Sequence, residues 1–471
     1  MKSSPELNCG VAGFQARFGI ARVEITPPIG IYLRNWGAAK FDTADSIHRP
    51  LYLTALTISS LDDESTEPPL IMVSGDLGWW KSASLFGEMQ HRLLEQLGCP
   101  EENFWFALTH THAAVPLQPA NASLEGGEMM GDYLALLESK IVDVAKMALS
   151  DSKVGILDWH YGTCNLAKVR DLPDRENPSE KVSCGFNPEL EPDDTLLVGR
   201  VTCEAGKPLA TIVNYACHPT TLAWQNRAIS PDYIGAMQEV VERETEGALS
   251  VFLQGASGEV APREQYTANL EIVDRHGRQL GYSVLAILAD MHPPSSRYEY
   301  QQVEPSGAPL AVWEYKSIPP RTDRTSIKQE ISLPLKSWPT ADELAQQAES
   351  SPDRFQQERL YRQREIRMYV GDHDQWPLPV WCWQLGEAVL MGTMAEGYTV
   401  LQQELRDQFK DRHVVCMNLL NGSIGYLAPV ELYDQDIYQV WQSPFERGSL
   451  EQLIGGVAEM IQSLPVGEVA K

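Results

Sequence analysis

Four short apolar runs in this chain break off at polar loops that carry histidine or glycine, and that pattern sets the fold class. Residues 70–74 (LIMVS) end at Gly75-Asp76, and residues 104–108 (FWFAL) run into Thr109-His110-Thr111-His112. Residues 210–216 (ATIVNYA) stop at Cys217-His218-Pro219, and residues 250–253 (SVFL) at Gln254-Gly255-Ala256-Ser257-Gly258. An apolar run of roughly four to eight residues closed by turn formers reads as a strand buried on both faces. Helix-period sequence separates the runs. Phe86, Met89, Leu93 and Leu97 fall on one helical face, and residues 134–149, 234–244 and 270–289 read as further helices. Strand, polar loop, helix is the grammar of α/β proteins, whose ligands gather beyond strand ends.

Residues 21–25 and 51–58 add two strands, the first stopped by Thr26-Pro27-Pro28. Residues 297–372 differ: 318–335 are mixed and strand-like, and 341–369 are charged and helix-prone. This stretch reads as an insertion or a boundary, and no Gly/Ser-rich linker flanks it. Alternating strand and helix return at 380–391, 398–409 and 414–419, and a helix closes the chain near 450–464. The expectation is one α/β domain over all 471 residues, a large mixed sheet with helices packed around it.

With 64 acidic and 38 basic residues the formal charge is -26. Such a surface repels phosphate backbones, so nucleic acid is not an expected partner. No stretch approaches eighteen consecutive apolar residues, so no membrane span is expected. Met1 to Gly19 holds no apolar core of a secretory leader. The eight cysteines, Cys9 among them, form no C-x-x-C pair and read as reduced thiols of a cytoplasmic protein.

Five segments carry chemistry. His110 and His112 stand at i and i+2 after a strand, on one face of an extended chain, and neutral imidazole ligates zinc well. Read alone, they are equally a polar strand end bonded to backbone. His218 ends the next strand, with Cys217 expected to pack inward. Residues 254–262 (QGASGEVAP) suit a backbone-lined pocket wall. Their Ser257 misses the G-x-S-x-G pattern, because Glu259 holds its last position. Glu396, in Met394-Ala395-Glu396-Gly397, is either a metal ligand or a helix cap. Residues 421–426 (NGSIGY) form a turn-rich loop bearing Tyr426. Asp76 and Asp232 are either partners of a ligand histidine or turn and cap residues. Arg170 either holds a substrate anion or forms a surface salt bridge.

In this order, THTH at 109–112, NYACHPT at 214–220, QGASGEVAP at 254–262, AEG at 395–397 and NGSIGY at 421–426 resemble the neutral ceramidase family, in its zinc-bearing N-terminal catalytic domain. Residues 21–28 (ARVEITPP) and 230–235 (SPDYIG) add to the likeness. The resemblance implies zinc held by His110, His218, Glu396 and Tyr426, with His112 facing the substrate. It implies hydrolysis of an N-acyl amide, ceramide in the family. Two departures stand out. The family's serine falls on Ala261, with Glu259 in place of an aspartate, and the chain ends about where the catalytic domain does, so no C-terminal β-domain is expected. The reading is a zinc hydrolase in which water attacks the acyl carbonyl and His112 moves a proton to the leaving amine. Its alternatives are a zinc amidase or esterase acting on a small soluble substrate, and a non-catalytic relative that binds metal or ligand.

Overall fold

The structure is a computed structural model that describes residues 8–9, 12–62, 64–178 and 181–465. Most of residues 1–11 of the expected leader-free start, and the side chain of Cys9, lie outside the described residues. The seven other cysteines are free thiols. No helix among the described residues is long and apolar enough to cross a membrane.

All four apolar runs become strands of one eight-stranded sheet. Its spatial order is Leu249–Gln254, Pro208–Tyr215, Thr195–Cys203, Lys153–Thr163, Phe14–Glu24, Tyr52–Ser59, Leu70–Gly75, Phe104–Leu108. The two outermost pairs are parallel, and each is joined through a helix, Tyr233–Glu244 or Ala83–Leu97. That is what a parallel crossover requires. The four middle strands pair antiparallel. Lys153–Thr163 and Thr195–Cys203 have no counterpart in the sequence reading. Lys153–Thr163 alternates buried and half-exposed residues and carries Gly155, Asp158 and Gly162, so no continuous apolar run marks it.

A second sheet runs Arg324–Pro334, Gln375–Leu385, Ala388–Thr393, His413–Met417. Side-chain alternation explains why the main-sheet runs are apolar throughout. Ile71, Val73, Phe104 and Phe106 face the helices Ala83–Leu97 and Met130–Ser150. Leu70, Met72, Trp105 and Ala107 face the second sheet. There Trp105 stacks on Trp383, ring centroids 3.9 Å apart and planes 16° from parallel. The helices Val400–Gln408 and Ser449–Ser463 cover the outer side of the second sheet.

The main sheet curls, and this brings distant histidines together. Ser74 Oγ, one strand from one edge, donates to the carbonyl of Phe252 on the opposite edge strand at 2.7 Å. Residues 418–421 fill the remaining seam: Asn418 N–H reaches Gln254 O and Asn421 N–H reaches Phe106 O, both at 3.0 Å. The Asn421 side chain completes the edge, accepting from Phe106 N–H and donating to Phe104 O.

Residues 297–372 divide into three pieces. Most of a largely exposed hairpin, Ser296–Glu304 with Leu310–Ser317, comes first. Arg324–Pro334 then pairs along its length with Gln375–Leu385. Two helices follow, Ala341–Ser350 and Arg354–Val370, parted at Ser351-Pro352-Asp353, where Asp353 accepts from Phe355 N–H. The single helix-prone stretch at 341–369 is thus two helices, since a proline cannot supply the N–H that a continuous helix needs.

Trp383 also donates its indole N–H to Glu102 O at 2.8 Å, in the turn that leads into Phe104–Leu108. Trp383→Ala is expected to lower the unfolding free energy by about 3–5 kcal/mol, read from urea unfolding followed by circular dichroism.

Candidate metal centre

His110 leaves its strand through a turn. Its φ is +70°, in the left-handed region that costs a non-glycine residue roughly 1–2 kcal/mol. The turn is pinned by His110 N–H to Leu77 O at 2.8 Å and by Nδ1 to Gly78 O at 3.1 Å. The extended-chain argument for His110 and His112 therefore fails at His110, yet their rings still meet, centroids 4.8 Å apart. His218 arrives from the opposite side of the sheet seam. Its Nδ1 faces Ser257 O at 2.7 Å and Val260 O at 3.2 Å. The His110 and His218 centroids are 4.8 Å apart. Glu396 and Tyr426 lie side by side on two short parallel strands, Glu396–Gly397 and Tyr426–Leu427. Glu396 Oε2 is 3.2 Å from His110 Nε2 and 3.1 Å from His218 Nε2, and Tyr426 OH is 3.5 Å from His218 Nε2. All four side chains are buried.

The hydrogen bonds assign the tautomers. A carbonyl oxygen only accepts, so Nδ1 of both His110 and His218 carries a proton. Burial, then Arg170, pushes the His218 imidazolium pKa down to about 3, so this ring is neutral and its Nε2 is a bare lone pair. Burial works to raise Glu396, but His110 and His218 hold it well below the usual carboxylate range. The Glu396 carboxylate and the His218 Nε2 lone pair thus face each other at 3.1 Å, a donor set that suits a cation. The donor atoms of His110, His112 and His218 all lie within 4.8 Å of one another and form a group able to hold a metal ion. His112 Nε2 sits 3.4 Å from His110 Nε2. Burial, then the two neighbouring histidines, lowers its pKa well below the ordinary value. Its ring lies between Trp79, at 4.7 Å, and Trp36, at 5.2 Å.

No protein-family model and no curated protein matches the sequence. Solved structures do. A neutral ceramidase from Pseudomonas aeruginosa superposes with a TM-score of 0.69 over 98% of this chain and 76% of its own, at 18% identity. A ceramidase complexed with C2 gives 0.68 over 97% and 77%, at 16% identity. This chain has the neutral ceramidase fold.

Within this ceramidase fold the loop residues separate into distinct jobs. Glu259, not Glu396, caps a helix: both its carboxylate oxygens accept from Thr399 N–H at 3.0 Å, at the start of Val400–Gln408. Asp76 accepts from Tyr52 N–H, and Asp232 from the N–H groups of Leu222 and Tyr233. Asp232 is the cap of the helix Tyr233–Glu244, whereas Asp76 ties its strand end to the neighbouring strand Tyr52–Ser59 and is neither cap nor partner of a histidine among the described residues. Cys217 packs inward and is fully buried. Ser257 spends its hydroxyl on Gln254 Nε2 and its carbonyl on His218. Ala261 is buried in the short strand Val260–Pro262.

Arg170 is no surface residue. It is 4% exposed, makes no ion pair among the described residues, and donates to Gly258 O at 2.7 Å and to Tyr426 OH at 3.3 Å. Sequence reasoning missed Tyr438, whose ring lies 5.5 Å from that of Tyr426, and missed Trp36 and Trp79 beside His112. Trp79 was findable, because Gly78-Trp79-Trp80 directly follows a strand end. Trp36 and Tyr438 carry no such local signal.

Burial pushes the Glu259 carboxyl up from its ordinary 4.5 to about 7, against the lowering pull of its bonds to Thr399. The folded chain keeps this proton where the unfolded chain has released it. The group's contribution to stability is therefore complete below pH 4.5 and lost as pH rises through 7. Glu259→Gln, a neutral isostere, is expected to remove that slope. Urea midpoints should show the variant gaining on the parent at about pH 8 and not at about pH 5.

Proposed function

We propose that this chain is a zinc-dependent hydrolase of N-acyl amides, ceramidase-like in its site, with zinc held by His110, His218, Glu396 and Tyr426. The observation that carries the reading is the pair of short approaches, 3.1 and 3.2 Å, of Glu396 Oε2 to two imidazole nitrogens. Two nitrogens, a carboxylate and a phenol oxygen suit zinc and leave room for a water. When bound, zinc supplies an acidified water and a Lewis acid for the acyl carbonyl.

The chain's own residues do the rest. Gly78, Ser257 and Val260 carbonyls orient the two ligand imidazoles. Arg170, 3.3 Å from the Tyr426 oxygen, favours its phenolate, which burial and Glu396 oppose. His112, neutral and partly exposed, takes a proton from the attacking water and passes it to the leaving amine. Ala261 offers no hydroxyl, so no acyl-serine forms there and water is the nucleophile.

Arg34, Asn35, Trp36, Phe41 and Trp224 line a narrow cleft beside His112.

The test is metal content and turnover together. The purified chain is expected to carry one zinc and to hydrolyse short N-acyl amides. His218→Ala should lose the metal and cut turnover by more than the roughly 10–100-fold that outer-shell changes cost. A parent without zinc, or a variant that keeps both zinc and rate, would sink the assignment.

A further inference from the structure

Lys81 is a cation with donors to spare. Its ammonium has three N–H groups. The described residues engage one of them, at Arg34 O, 3.0 Å away. It makes no ion pair among the described residues, in a chain where acidic residues outnumber basic ones 64 to 38. Its nearest aromatic partner is Trp79, whose ring centroid is 5.8 Å from Nζ. The same indole lies 4.7 Å from the ring of His112 and 5.9 Å from that of His110. Lys81 and the candidate metal centre therefore flank one tryptophan, within reach of the two ends of a short molecule.

The surroundings add positive charge. Arg362, on the helix Arg354–Val370, donates to Tyr438 OH at 3.0 Å and pairs with Glu358 at 2.7 Å. Tyr438 in turn packs on Tyr426. Arg34, which lines the cleft beside His112, pairs with Asp42 at 3.2 Å. Lys81, Arg34 and Arg362 thus stand against two carboxylates, Asp42 and Glu358. Burial, then Arg362, pushes the Lys81 ammonium pKa down to about 7, with Glu358 opposing in part.

We propose that the substrate amide carries a carboxylate, and that Lys81 binds it. The claim rests on the amide-hydrolase reading and narrows it to N-acyl amino acids or to amides of dicarboxylic acids. Water adds its oxygen to the acyl carbon, the C–N bond breaks, the amine leaves with the proton, and the second carboxylate is untouched. Trp79 fixes the distance between the anion and the scissile carbonyl. An ammonium offers a point charge with rotatable donors, which accepts a carboxylate from several directions. The Arg34 and Arg362 guanidiniums, already paired, supply field rather than contact.

The experiment is calorimetric binding to the zinc-loaded chain, followed by turnover of the same compounds. Hexanoylglycine is compared with hexanoylglycinamide for a carboxylate on the amine side. N-butylglutaramic acid is compared with N-butylhexanamide for one on the acyl side. One acid is expected to bind at least about tenfold tighter than its neutral partner, the scale of a charge-assisted bond. Lys81→Met should abolish that preference while zinc content and thermal midpoint stay at the parent's values. Lys81→Arg should restore part of it, which a purely structural strut would not do. Equal affinity of acid and neutral partner in both series overturns the proposal, as does a preference that survives Lys81→Met. Selective binding without cleavage of any amide refutes the hydrolase reading and leaves the anion site standing.

Discussion

The site depends on one carboxylate oxygen placed against two imidazole nitrogens whose ring protons point the other way. Glu396 Oε2 has no donor in His218, because the His218 proton is committed to Ser257 and Val260 carbonyls. Burial excludes the water that would otherwise separate these lone pairs. Such a cluster needs a scaffold rigid enough to hold it. The scaffold part is visible in the bonds around it. Gly397 N–H donates to Asn418 Oδ1 at 3.2 Å, and Asn418 N–H donates in turn to Gln254 O. Each candidate ligand is thus tied to the strand end that supplies the next.

Curling of the main sheet is what makes this possible. His110 and His218 follow strands that lie near opposite edges of an eight-stranded order, positions that in a flat sheet would be some 30 Å apart at about 4.8 Å per strand. The Ser74 to Phe252 bond and the 418–421 seam close that distance. The seam residues do double duty, because the loop that follows them delivers Tyr426. A turn that looks ordinary in sequence is therefore the piece that joins both edges and carries a ligand candidate.

Much of this was legible in the sequence, and the reasons are local. Continuous apolar runs marked the strands buried on both faces, and their abrupt ends marked the loops that bear His110, His218 and the glycine-rich wall. Lys153–Thr163 escaped because half its side chains meet water and its glycines break the pattern. The grouping of His110 with Glu396 came from resemblance, since nothing in a strand pattern reports that a sheet curls. Arg170 read as a surface residue because Lys168-Val169-Arg170-Asp171 looks like an exposed polar strand. Its burial is decided by Gly258 and Tyr426, which lie 88 and 256 residues away. The left-handed turn at His110 was equally invisible, because no glycine announces it.

Glu259 and Ala261, where the sequence departs from the ceramidase pattern it resembles, lie on one short loop and strand. Glu259 is a carbon longer than aspartate, and its carboxylate reaches Thr399, where it meets the positive end of the helix Val400–Gln408. Its backbone carbonyl receives Arg170 N–H, the start of the arginine that touches Tyr426. Glu259 is thus a strut between the glycine-rich wall, the helix and Arg170. Ala261, buried two positions on, packs where a hydroxyl would need a partner. The orientation of His218 does not depend on any side chain of this loop, because its Nδ1 is held by the carbonyls of Ser257 and Val260. Backbone anchoring thus leaves the placement of the imidazole independent of which side chains the loop carries.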